Sequence, residues 1–248
     1  MRVLLTGVTG VCGLNVLRTL LEDPSITHVT ALSRRPLPSW IVLPGGTSTS
    51  PDGSPTHPKL NTVIQPSFQD YSPDQLKGYD GCIWALGRWN PTSSEEENAV
   101  VNVDYVDKFL QALPLDTRPP GNPFRFVFVS TIGADPKEKG HMAYLRIKGR
   151  AENHILSFEE QHEDTFKAYI LRPGAFFPSS KYPKDASHQR SAVEGVINTI
   201  FGGVIRAAMG LTTEELGAFA MGAVKGKWDK QPAVYENGEM KRLLRSVQ

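Results

Sequence analysis

A tyrosine and a lysine four residues apart, in a segment with helical periodicity, could together carry out acid–base chemistry. Tyr144 and Lys148 project from one face of such a helix, so both side chains can reach the same bound molecule. A phenol with a pKa of about 10 is a weak acid at neutral pH, but a neighbouring ammonium group lowers that pKa. The pair predicts a proton donor or acceptor at Tyr144. The alternative is a half-buried tyrosine beside a lysine on an ordinary amphipathic helix.

Glycines at positions 7, 10 and 13 follow a predicted strand and precede a predicted helix. The spacing, G-x-x-G-x-x-G, departs from the common G-x-G-x-x-G, but each glycine has a physical role. The first allows a tight turn, the second lets a pyrophosphate approach the backbone, and the third allows close packing of helix on strand. The residues expected to contact a dinucleotide here are Gly7, Thr9, Gly10, Val11, Cys12 and Gly13. The alternative is a glycine-rich connection without a ligand.

Two arginines follow the second predicted strand, where an acidic residue would hold the ribose of NAD. An acidic residue there would repel a 2′-phosphate, whereas the guanidinium groups of Arg34 and Arg35 can bind it or stack on adenine. The sequence therefore favours NADPH (NADP+) over NAD(H) as the cofactor. The alternative is a solvated loop.

Apolar runs typical of buried strands alternate with helical patterns along most of the chain. The runs are Val3–Leu5, His28–Leu32, Thr62–Ile64, Gly81–Leu86, Phe124–Val129 and Tyr169–Leu171. This alternation predicts an α/β fold with a doubly wound, Rossmann-like parallel sheet and helices on both of its faces. Capping boxes that begin at Ser94 and Thr212 predict two helix starts.

We expect a single NAD(P)-binding domain over residues 1–248. Residues 1–174 would form its dinucleotide-binding core, and residues 175–248 a small, mostly helical C-terminal lobe on the substrate side. Residues 36–59 are rich in Pro, Gly, Ser and Thr, which predicts a mobile insertion.

Composition narrows the classes of function. A formal net charge of +1 does not favour nucleic acid or an anionic membrane as the main partner. The apolar stretch 196–209 contains Asn198 and Arg206 and is too short to span a bilayer, so no membrane span is expected. The histidines show no metal-ligand spacing, which predicts no metal site. Two cysteines without a paired motif indicate a reducing compartment, and we expect a cytoplasmic protein.

The motifs occur in an order that resembles the atypical short-chain dehydrogenase/reductase superfamily. They are Thr6-Gly7-Val8-Thr9-Gly10-Val11-Cys12-Gly13, Leu86-Gly87, Tyr144 with Lys148, and Leu171-Arg172-Pro173-Gly174. The stretch from Val129 to Asp135, with Tyr144 and Lys148 after it, is most similar to the Tat-interacting-protein-like branch. The resemblance implies that Leu86, Gly87, Pro173, Tyr144 and Lys148 also contact the cofactor, with Lys148 on the nicotinamide ribose.

The resemblance also implies a hydroxyl at the end of the fifth strand that stabilises charge on the substrate oxygen. Thr131 lies thirteen residues before Tyr144, the common separation in the superfamily, which favours it over Ser130. Ser130 would then have a cofactor or backup role, and Asn102 resembles the asparagine that extends the proton relay. Substrate contacts are expected from Trp89, Asn90, Phe176, Phe177 and Tyr182.

These residues predict an NADPH-dependent oxidoreductase that reduces a carbonyl, or oxidises an alcohol, of a small organic substrate. Tyr144 would be its acid or base. The alternative is a non-catalytic NADP(H)-binding regulator or redox sensor, and an epimerase or dehydratase is a third possibility. Helices of this fold can pair, which allows a homodimer.

Overall fold

Parallel strands form the centre of the protein. The structure, a computed structural model, describes residues 1–46, 48–119, 121–174, 179, 181–189 and 211–246. Its main sheet contains β1 (Arg2–Thr6), β2 (His28–Ser33), β3 (Leu60–Ile64), β4 (Gly81–Trp84), β5 (Phe124–Val129), β6 (Phe166–Arg172) and β7 (Val234–Glu236). Across the described residues the strand order is β3-β2-β1-β4-β5-β6-β7, and every pairing is parallel. This confirms the predicted doubly wound, Rossmann-like sheet.

Helices lie between the strands. They are α1 (Val11–Glu22), α2 (Glu95–Ala99), α3 (Tyr105–Gln111), α4 (Ala143–Gln161), α5 (Lys184–Gln189), α6 (Thr213–Val224) and α7 (Asn237–Arg245). A π-helical turn, Val100–Asp104, joins α2 to α3. Ser94 and Thr212 form the two predicted capping boxes, each with the glutamate three residues later. In the part of the chain that the structure describes, we find no helix long and apolar enough to cross a membrane.

The two faces of the sheet carry separate apolar cores, because neighbouring residues of a strand point to opposite faces. On one face, Leu5 of β1 packs with Leu17 of α1 and Phe219 of α6. On the other face, Leu4 packs with Phe109 of α3 and other large aromatic and aliphatic side chains. Helices therefore cover both faces, as the alternating pattern predicted.

The C-terminal part adds a strand that the sequence did not reveal. Val234–Glu236 pairs with β6 as the last strand of the sheet. Three residues are too few to show a strand's periodicity. In the described part of this region, α6 and α7 confirm the predicted, mostly helical C-terminal part. Helix α6 packs closely on α1: a Cβ atom at Gly217 would lie 2.6 Å from Oγ1 of Thr19.

The insertion after β2 differs from the mobile segment that its composition predicted. Leu37, Ile41 and Leu43 are buried in the same core as α1. The Nε atom of Arg18 donates a hydrogen bond to the carbonyl oxygen of Val42 at 2.9 Å. A few apolar residues within a polar stretch are enough to fix its first half, and a short antiparallel pair, Ser48–Thr49 with Pro55–Thr56, follows.

A buried ion pair attaches α5 to α1. Arg18 donates two hydrogen bonds to Asp185, at 2.5 and 3.1 Å, and both side chains are nearly inaccessible to solvent. The ring of Tyr182 lies 3.5 Å from the guanidinium carbon of Arg18. Arg18 therefore connects α1, the insertion and α5.

Candidate dinucleotide and catalytic site

The glycine turn brings β1, α1 and the end of β4 into close contact. Gly7 has a φ of 70°, and a Cβ atom there would lie 2.4 Å from the carbonyl oxygen of Ala85. A Cβ atom at Gly13 would lie 2.1 Å from the carbonyl oxygen of Gly7. Both positions require glycine, since no side chain fits at these distances.

The first turn of α1 is suited to an anion. Its N-cap residue is Gly10, which supplies no side-chain cap, and the first turn contains no acidic residue. The amide groups at a helix N-terminus carry a partial positive charge and lack partners within the helix. The turn therefore fits the pyrophosphate of a dinucleotide. Thr9 and Val11 flank Gly10 in this turn. Burial raises the pKa of the Cys12 thiol to about 12, so Cys12 would contact the dinucleotide only through its backbone.

A cleft of about 450 Å³ extends from this turn. Its lining includes Arg34, Arg35, Trp40, Leu86 and His188. Both arginines are exposed, and no described carboxylate forms an ion pair with either of them. Trp40 stacks on His188 with ring centroids 4.6 Å apart. No sequence motif predicts this stack, because its two rings come from distant segments of the chain.

Lys148 lies in the interior below the carboxyl end of β5. Its side chain is buried, its Nζ atom donates a hydrogen bond to the carbonyl oxygen of Val129 at 3.0 Å, and it lies over the Phe128 ring. Burial lowers the pKa of Lys148 to about 8, and the nearby carboxylate of Glu152 opposes that change. A Cβ atom at Gly87 would lie 3.7 Å from Nζ of Lys148. The loop after β4 therefore passes beside the ammonium group.

Tyr144 lies one turn before Lys148 on α4. It is half-buried, and its ring is 5.7 Å from that of Trp89, which is 42% exposed. The expectation that Lys148 lowers the pKa of this phenol does not hold in the structure. Burial raises the pKa of Tyr144 instead, while the ammonium group of Lys148 is bonded to the backbone of β5.

The two candidate hydroxyl residues lie in different surroundings. Ser130 is buried, and its Oγ atom donates a hydrogen bond to Oε1 of Glu152 at 2.5 Å. Thr131 is the next residue and is half-buried. Of the two, Thr131 is the one that solvent, and hence a substrate, can reach.

Asn102 lies on the π-helical turn and holds the loop after β4. Its Nδ2 atom donates hydrogen bonds to the carbonyl oxygens of Arg88 at 2.6 Å and Asn98 at 2.8 Å. Asn98 in turn accepts a hydrogen bond from the backbone N–H of Asn90 at 2.8 Å. The side chain of Asn90 donates to Oγ of Ser93 within the same loop. These contacts fix the loop that presents Trp89 to Tyr144.

The remaining predicted residues fall into three groups. Leu86 donates its backbone N–H to Oγ1 of Thr6, and Pro173 accepts a hydrogen bond from the N–H of Ile132, so both fix strand ends. The ring of Tyr182 packs against the guanidinium group of Arg18. Phe176 and Phe177 lie outside the described residues.

Solved structures share the fold of this chain. MoeE5 in complex with UDP-glucose and NAD has a TM-score of 0.63 at 18% identity, over 95% of this chain and 75% of that chain. An oxidoreductase of the short-chain dehydrogenase/reductase family from Burkholderia thailandensis has a TM-score of 0.61 at 11% identity, over 95% of this chain and 90% of that chain. The chain thus has the fold of the short-chain dehydrogenases/reductases, which confirms the resemblance at the level of the fold.

No protein-family profile matches the chain. The curated relatives of the chain are distant in sequence. The leucinostatins biosynthesis cluster protein T of Purpureocillium lilacinum is 27% identical over 70% of this chain, and the match spans only 57% of that relative's length. Protein FMP52, mitochondrial, of Coccidioides immitis is 27% identical over 79% of this chain and 71% of its own length. The prediction of a cytoplasmic protein is wrong on this comparison, because the FMP52 relatives are named as mitochondrial.

Proposed function

We propose that the protein is an NADPH-dependent oxidoreductase that reduces the carbonyl group of a small organic substrate, or oxidises the corresponding alcohol. The main support is the position of Lys148, whose buried ammonium group lies beside Gly87 in the loop that follows β4. The preceding residue, Leu86, lines the cleft of the glycine turn. A dinucleotide that lies in this cleft would therefore reach Tyr144 and Lys148 on α4.

Each group has a role in this proposal. A bound nicotinamide dinucleotide supplies or accepts a hydride. The turn residues Gly7, Gly10 and Gly13 and the amides of α1 would hold its pyrophosphate, and Arg34 with Arg35 its 2′-phosphate. Thr131 donates a hydrogen bond to the carbonyl oxygen, and Tyr144 transfers its phenolic proton to the same oxygen. The mitochondrial names of the FMP52 relatives favour a mitochondrial location.

The second candidate function is a non-catalytic NADP(H)-binding regulator. The observation in its favour is the raised pKa of Tyr144, since a phenol with a raised pKa is far from the matched acidity that proton transfer at neutral pH needs. Such a protein would bind the dinucleotide without turning over a substrate.

Two assays on the purified protein distinguish the oxidoreductase from the non-catalytic regulator. We would follow NADPH oxidation against a panel of aldehydes, ketones and quinones, and measure NADPH binding by calorimetry. Binding with turnover supports the oxidoreductase, binding without turnover on the panel favours the regulator, and absence of binding contradicts both.

Arg34→Gln and Arg35→Gln are each expected to weaken NADPH binding without weakening NADH binding. A lost hydrogen bond to a charged group costs about 1.5–3 kcal/mol, which corresponds to roughly 10- to 150-fold in the dissociation constant. Arg245→Gln, at an exposed position on α7, is the matched control. Calorimetric titration with both dinucleotides checks the result. Equal weakening for NADPH and NADH would contradict a 2′-phosphate site.

A further inference from the structure

A buried carboxylate that the proposed reaction does not use lies beneath the catalytic groups. Glu152 on α4 is 1% exposed. It accepts hydrogen bonds from Oγ of Ser130 at 2.5 Å and from Nε of Arg172 at 3.0 Å, and a terminal nitrogen of Arg172 also bonds to it. The other terminal nitrogen of Arg172 donates to Glu236 at 2.8 Å. A buried charge needs such partners, and Glu152 has them at the carboxyl ends of β5 and β6.

Glu152 and Lys148 act on successive residues of one strand end. They lie one helical turn apart on α4, so their side chains are neighbours. Lys148 donates to the carbonyl oxygen of Val129, and Glu152 accepts from the hydroxyl of Ser130. Lys148 is only 2% exposed, and a buried ammonium group loses its proton readily unless an anion lies nearby.

The titratable groups around Lys148 show which anion that is. Cys12 approaches from α1, but burial keeps its thiol protonated by raising its pKa to about 12. Tyr144, one turn earlier on α4, has a pKa that burial raises, so it is neutral too. Arg172 approaches from β6 as a cation bonded to Glu152. Glu152 is thus the anion that opposes the effect of burial on Lys148.

We propose that Glu152 is a positioning residue that keeps Lys148 protonated and holds the Ser130 hydroxyl in the interior, so that Thr131 rather than Ser130 donates a hydrogen bond to the substrate oxygen. The importance of Lys148 to turnover rests on the proposed oxidoreductase function. The electrostatic effect of Glu152 on Lys148 does not rest on that function, because it acts within the protein whether or not a ligand is bound.

The first experiment measures the titration midpoint of Lys148 by NMR of protein labelled with ¹³C at the lysine ε-carbon. The Lys148→Arg variant assigns the signal. In Glu152→Gln, which keeps the shape and loses the charge, the midpoint is expected to fall by about one pH unit or more. Arg172 retains Glu236 as a partner in this variant, which favours folding. An unchanged midpoint overturns the proposal.

Two further variants control for a merely structural effect. Glu236→Gln removes the other carboxylate bonded to Arg172. The side chain of Glu236 is 53% exposed, so this variant should leave the titration midpoint of Lys148 unchanged. Arg172→Gln removes the cation that offsets Glu152 and should move the midpoint upward. If Glu152→Gln does not fold, the upward shift in Arg172→Gln tests the same charge balance, and its absence overturns the proposal.

Turnover gives the second readout. With an active carbonyl substrate, the alkaline limb of kcat/KM should move to lower pH in Glu152→Gln by the same shift as the NMR midpoint. Thr131→Val should lose most of its turnover. Turnover retained in Thr131→Val would overturn the part of the proposal that assigns the substrate oxygen to Thr131 rather than to Ser130. A shifted midpoint in a protein that reduces no carbonyl would contradict the oxidoreductase and leave the role of Glu152 intact.

Discussion

Tyr144→Phe is expected to lower the turnover number for carbonyl reduction by about 10²- to 10⁴-fold, the usual contribution of a positioned general acid. The variant removes one oxygen atom and keeps the ring that contacts Trp89. NADPH binding and the melting temperature should therefore stay close to those of the unmodified protein. Steady-state kinetics, calorimetry with NADPH and thermal melting measure the three quantities.

Tyr71→Phe is the matched control for this prediction. The Tyr71 hydroxyl is buried in the core on the opposite side of the sheet from α1, and no described residue forms a hydrogen bond with it. Its removal should change neither turnover nor binding. Turnover retained in Tyr144→Phe would show that another group transfers the proton.

Gly13→Ala is expected to lower the free energy of unfolding by about 3 kcal/mol, at the upper end of the cost of overpacking. The added methyl group would lie 2.1 Å from the carbonyl oxygen of Gly7, so α1 must move away from β1. That movement displaces the helix N-terminus, and NADPH binding should be lost with the stability. Urea unfolding and calorimetry measure both effects.

Alanine substitutions at two other glycines distinguish an effect on packing from an effect on NADPH binding. At Gly10 an added Cβ atom would lie 3.3 Å from the carbonyl oxygen of Gly7, which a small shift relieves. Gly10→Ala should therefore unfold nearly like the unmodified protein and still bind NADPH poorly, because its methyl group would occupy the position proposed for a phosphate. At Gly238, on α7, the methyl group meets open space, and Gly238→Ala should affect neither property. Similar stability loss in Gly13→Ala and Gly238→Ala would contradict the packing argument.

Much of the fold could be predicted because its signals are local. The glycines, the apolar runs and the capping boxes at Ser94 and Thr212 each depend on a few neighbouring residues, and the structure contains the elements they predict. The positions of Tyr144 and Lys148 on one helix follow from their spacing alone. Neighbouring residues in the sequence are enough to indicate such features.

What could not be predicted depends on contacts between distant segments. The stack of Trp40 on His188 and the ion pair of Arg18 with Asp185 each join residues more than a hundred positions apart. Asn102 lies on a π-helical turn and donates a hydrogen bond to the carbonyl oxygen of Arg88. No sequence pattern predicted this π-helical turn. Glu152 looks like a surface acid, and only its neighbours in space show that it is buried and paired.

The packing of α6 on α1 also affects how the protein is made. About 190 residues separate the end of α1 from the start of α6, and at ordinary speeds of translation the ribosome needs roughly 10–40 s to add them. Throughout that interval the first helix of the nascent chain has no covering layer at the place where Gly217 later meets Thr19. A nascent chain that ends before residue 213 therefore lacks the helix that covers this part of α1 in the finished fold.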